Sequence, residues 1–146
     1  FIGRDLDAEK LERPAERWRR SIYLLTRRSY HHSLLDVFDQ PDIETTCNRR
    51  QVNAVALQSL TMLNDPFVFD QALHLAEILW HPEDEVTVQL QRIYARILCR
   101  PADAQELTAC RAAYSRLIGE DRLAPVAALA EICHTLLNAS EFLYRE

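Results

Sequence analysis

The chain of 146 residues, 48% hydrophobic and 27% charged, is long enough to bury one core, and no apolar run approaches the length needed to cross a bilayer. Its net charge of −5, with Glu9, Glu12 and Glu16 set among the basic residues Arg17, Arg19 and Arg20, argues against a surface that tracks nucleic-acid phosphates. Only two glycines, Gly3 and Gly119, exclude Gly-rich phosphate loops and dinucleotide fingerprints and weigh against a turn-rich all-β fold, so a mainly α protein is expected.

Residues 1–20 are charged and read as a linker or peripheral arm, and residues 21–146 as a single helical domain. The chain opens on Phe1 rather than Met, so the expectation is a piece of a longer polypeptide. Ser21 to Thr26 is β-branched and aromatic and is expected to be extended. Ser33 to Phe38 suits a helical turn, and Asp39 to Arg50, which lacks periodicity, an irregular but ordered loop. After residue 50 the spacing becomes helical and predicts a bundle of about five helices. Their apolar faces are Ala56, Leu57, Leu60, Leu63; then Val68, Ala72, Leu75, Ala76, Leu79; then Val86, Leu90, Ile93, Tyr94, Ile97. Leu107, Cys110, Tyr114, Leu117, Ile118 follow, and last Val126, Leu129, Ala130, Cys133, Leu136, Leu137. Pro66, Pro82, Pro101 and Pro125 each sit where a helix should begin, because a first-turn proline loses no hydrogen bond. Asp65-Pro66 reads as a cap, Asn64 as the close of the helix before it, and Asp103 with Glu106 as a capping box.

Three groups of residues carry candidate chemistry. Asp36, Asp39, Asp42 and Glu44 lie close in sequence to Arg49 and Arg50. Asp39 and Asp42 could supply the acid and base of a hydrolase, but Arg forks that clamp carboxylates and loop carbonyls explain the cluster more simply. Asp70, His74, Glu77 and His81 recur at four, three and four residues, as metal ligands on one helix stripe would. That stripe falls opposite the apolar face, where a solvated polar surface is the simpler account. The adjacent His31 and His32 point to opposite faces of an extended segment, which disfavours a shared metal. No nucleophile elbow is visible.

Cys47, Cys99, Cys110 and Cys133 form no CxxC pair and no zinc-ligand spacing. Cys110 and Cys133 lie equally far from the turn at Asp121-Arg122, so an antiparallel hairpin brings them level, as buried thiols in preference to a disulfide. Ala130-Glu131-Ile132-Cys133-His134 lacks the first cysteine of a haem-attachment site, and no cofactor is expected in this segment.

The ordered set Arg20-Ser21-Ile22-Tyr23, Arg27-Arg28, Phe38-Asp39-Gln40-Pro41, Cys47 with Arg49-Arg50, and Leu57-Gln58-Ser59-Leu60 resembles a planctomycete-type C-terminal domain, domain of unknown function 1553. Leu63-Asn64-Asp65-Pro66-Phe67, Arg100-Pro101 before Glu106-Leu107, and Glu141-Phe142-Leu143-Tyr144 extend the resemblance. It implies a large exported protein, periplasmic or on the cell surface, whose preceding domains are this segment's partners. Such parents often carry a planctomycete cytochrome c domain near the N-terminus, so any haem lies outside these residues. The resemblance supplies no catalytic residues. The expected function is a noncatalytic helical module that packs against its parent or a partner. The alternative is one wall of a shared hydrolase-like or redox site, linked to polysaccharide use and built on Asp39, Asp42, Arg49 and Arg50.

Overall fold

The structure, a computed structural model, describes Leu35, Val37, Phe38 and residues 56–144. The described residues are 76% helical and contain no strand. Six helices follow in order: α1 (Ala56–Asn64), α2 (Pro66–Leu79), α3 (Val86–Ile97), α4 (Ala104–Gly119), α5 (Pro125–Leu137) and the short α6 (Ser140–Leu143). Five of them are substantial, as the periodicity predicts. The chain divides into two compact units, Phe1–Gln58 and Ser59–Glu146. In the first, the described contact is a hydrogen bond from the Gln58 amide to the Val37 carbonyl at 3.2 Å. The extended segment expected at Ser21–Thr26 and the loop expected from Asp39 to Arg50 fall outside the described residues.

The second unit is the helical bundle. Asp65 breaks α1 from α2 with a single extended residue, and its carboxylate accepts from the Phe67 N–H at 2.8 Å while Pro66 occupies the first helical position. On the other side of the break the Asn64 amide returns to the Leu60 carbonyl at 2.9 Å, capping the end of α1. The Asp103–Glu106 capping box is formed in full: Asp103 accepts from the Gln105 and Glu106 N–H groups, and Glu106 accepts from that of Asp103. Pro66 and Pro125 start their helices as expected, but Pro82 and Pro101 stand in the connections, ahead of the caps Glu85 and Asp103. At the second of these the Asp103 side chain, rather than the proline, sets where the helix begins.

Helix α5 is the centre of the bundle, in contact with α2, α3, α4 and α6. Its most extensive approach is to α2. Small residues make that approach close: Ala72 and Ala76 on α2 and Ala128 and Cys133 on α5 are all fully buried. Leu90, Ile93, Tyr94 and Ile97 of α3 and Leu129, Ile132 and Leu136 of α5 complete the core, with Leu75, Leu79, Leu107, Cys110 and Tyr114 packed around it. Helix α4 contains no fully buried residue and lies across the core as a half-covered flank. Four of the five predicted faces thus reach the core. The α1 face does not, because Leu57, Leu60 and Leu63 are each half exposed or more.

The connections are tied by side-chain amides. Gln89, itself buried, donates to the His81 and Asp84 carbonyls and so braces the turn between α2 and α3. Gln91 both donates to the Ala102 carbonyl at 3.1 Å and accepts from its N–H at 3.0 Å. Cys99, just past α3, and Arg122, just past α4, adopt left-handed backbone with φ of 56°. That conformation costs an L residue roughly 1 kcal/mol, which glycine avoids.

Arg122→Gly is therefore expected to stabilise the bundle by about 0.5–1 kcal/mol in urea denaturation. Leu129→Ala should cost about 2–5 kcal/mol by opening a cavity, and Ala76→Leu about 1–3 kcal/mol by forcing α2 off α5. A smaller loss for Ala76→Leu than for a surface alanine such as Ala104 would refute the close-approach reading.

Candidate interaction surface

The sequence nominated two sets of site residues. Asp39, Asp42, Arg49 and Arg50, together with Asp36, Glu44, His31, His32 and Cys47, lie outside the described residues. Of the second set, Asp70, His74 and Glu77 lie exposed on α2, opposite the buried Val68, Ala72 and Ala76. His74 Nδ1 stands 3.7 Å from Glu77 Oε2, both largely solvated. His81 does not share their helix, because α2 ends at Leu79 and Trp80 caps it. Its ring nitrogen Nδ1 instead lies 3.0 Å from the Leu79 carbonyl and 3.1 Å from an Arg92 Nη. Among the described residues no group of three His, Cys, Asp or Glu side chains is placed to hold a metal ion.

Cys110 and Cys133 belong to one core cluster, and both are free thiols. The Cys110 sulfur lies 3.5 Å from the Tyr94 hydroxyl. Burial pushes the Cys133 thiol up to about 12 and raises the Tyr94 phenol, the latter helped by Cys110. A thiol so placed is neither nucleophile nor ligand at neutral pH. Cys99 is exposed.

Two features that the sequence did not single out stand out on the surface. The first is Arg100, which holds two carboxylates at once. Its Nη atoms grip Glu106 at 2.9 and 2.7 Å, and its Nε and Nη2 grip Glu141 at 2.7 Å each. A further Nη1 bond reaches the Pro101 carbonyl, and the guanidinium lies 5.7 Å from the centre of the Tyr94 ring. These bonds raise Arg100 and lower both carboxyls, Glu106 to about 2 through Arg100 first and the Asp103 N–H second. Beside it an open groove of about 480 Å³ is lined by Val88, Gln91, Arg92, Ala95, Cys99 and Arg100. Its polar heads are committed: Gln91 to Ala102, Arg92 to Asp84 at 2.6 Å, and Arg100 to its carboxylates.

The second feature is the orientation of α1. Its outward side carries Leu57, Leu60 and Leu63, which are 55%, 55% and 50% exposed. Gln58 is buried on the other side, and Ser59, Thr61 and Met62 are half-buried. The helix is thus amphipathic in reverse, with its leucines toward solvent. Scattered exposed leucines are ordinary, whereas these three form one apolar stripe along a helix face. On α2, Phe67, Phe69 and Leu73 are also partly exposed. Phe69 lies flat on the buried His134 ring, with centroids 4.0 Å apart, and His134 Nε2 has no hydrogen-bond partner among the described residues.

Fold and surface together define a mainly helical module whose described part carries exposed leucines on α1 and ion pairs at Arg92 and Arg100. The chain belongs to the PSD1 family, a protein of unknown function (DUF1553), which matches residues 4–114. No curated protein and no solved structure matches it. The family match ends inside α4, yet α5 beyond it supplies Leu129, Ile132, Cys133 and Leu136 to the core.

The Glu106 carboxyl is lowered from an ordinary value of 4.5 to about 2. Its contribution to stability is therefore complete above about pH 4.5 and fades as the pH falls toward 2. Urea melts across that range should show the loss in the native protein and a flatter profile in Arg100→Met. Native alkylation followed by peptide mass spectrometry should modify Cys99 readily and Cys133 only on unfolding. Equal labelling of the two would contradict the core assignment.

Proposed function

We propose that this chain is a noncatalytic helical module of a larger exported bacterial protein, docking through the outward face of α1 onto the rest of its parent or a partner. The reversed amphipathicity of α1 is the observation that supports this reading. Completing the burial of Leu57, Leu60 and Leu63 is worth roughly 1 kcal/mol each in apolar area alone. No such gain is realised while the face stays in water.

Substituting Leu60 and Leu63 together by glutamine keeps helix propensity and removes the apolar face. In the isolated chain the change is expected to shift unfolding by no more than about 0.5 kcal/mol per site. In the full-length protein that carries the module, the same pair should free it from its neighbour, seen as faster proteolytic release of the intact module. Unchanged release would sink the docking reading. Loss of helicity in the isolated chain would instead assign the leucines to internal packing.

A further inference from the structure

We propose that Ala139–Tyr144 is a reversible latch that swings off the bundle as one unit while α2, α3 and α5 stay folded, with Arg100 as its catch. The inference does not depend on the docking reading. Helix α6 contributes no buried residue to the core. Apart from the Ala139 N–H, which donates to the Leu136 carbonyl at the end of α5, its backbone hydrogen bonds run within the segment, from Phe142 and Leu143 to the Ala139 carbonyl and from Tyr144 to that of Ser140. It can therefore move without breaking the ladder of another helix. Asn138 forms the hinge, ending α5 with its N–H and side-chain amide both directed to the His134 carbonyl.

Among the described residues two side-chain ties hold the latch to the bundle. Glu141 meets Arg100 through two bonds at 2.7 Å, and the Tyr144 hydroxyl lies 3.0 Å from that of Ser59 on α1. Both ties are solvent-exposed, and exposed pairs add little to stability, so undocking is far less costly than opening the core. The catch is built to tolerate release. When Glu141 leaves, Arg100 keeps Glu106 and the Pro101 carbonyl, and its charge is never stranded. What the open state gains is a bare guanidinium edge, Nε with one Nη2 proton, shaped to receive another carboxylate beside the groove along α3.

Hydrogen exchange on the whole chain, read by mass spectrometry in increasing sub-denaturing urea, tests the latch. The amides of Phe142, Leu143 and Tyr144 should exchange ahead of those of α3 and α5, at a rate insensitive to urea. Glu141→Gln and Tyr144→Phe should each speed that exchange about two- to fivefold and leave α3 and α5 unchanged. Exchange of the segment in step with α5, with the same urea dependence, would overturn the proposal. So would variants that leave its rate unaltered or accelerate the whole bundle alike.

Discussion

The close approach of α2 to α5 is the contact on which the rest of the bundle depends. Alanine and cysteine at the crossing let two backbones come near enough for Leu129 and Ile132 to engage the side chains of α3 behind them. A larger residue at any of these positions holds the helices apart and withdraws the leucines from their partners. Helix α3 completes the core with Leu90 and Ile93, and α4, which has no fully buried residue of its own, flanks it. Packing at native density means that these four small residues are as exacting in size as the larger leucines around them.

Most of the helical core is legible in the sequence. Val68, Ala72, Ala76, Leu90, Ile93, Tyr94, Ile97, Leu129, Cys133 and Leu136 follow the three-and-four spacing and are buried. Both capping motifs, at Asp65 and Asp103, are equally visible, since a cap is a local hydrogen bond between residues two or three apart. The α1 face shows the limit of this reasoning. Periodicity says that Leu57, Leu60 and Leu63 share a side, but not whether anything covers it. Gln89 and His134 were equally hidden, being polar residues buried by tertiary neighbours. The Arg100–Glu141 pair spans 41 residues and leaves no periodic trace. Its near half, Arg100-Pro101 ahead of Glu106, could have suggested a fork. The metal-like spacing from Asp70 to His81 misled in one respect only: it treats the helix as continuing past Leu79, where the chain turns.

Arg92 reaches from α3 back to the connection before it, Arg100 sits in the connection after it, and each binds a side-chain carboxylate and a backbone carbonyl. Their geometry fixes turns whose backbone would otherwise be poorly paired. The family match stops at residue 114, while the core runs on into α5. The helical core therefore extends beyond the end of the family match.

The paired bonds between the Gln91 side chain and the Ala102 backbone act as a ruler on the chain between them. One amide reads both the N–H and the carbonyl of a single residue, so it fixes how many residues separate the end of α3 from the start of α4. A residue added or removed there would present a different peptide group to Gln91 and rotate α4 about its axis. Over evolutionary time this connection should drift in composition but keep its length. The stretch around Asp121, with no such amide across it, is where insertions and deletions should gather.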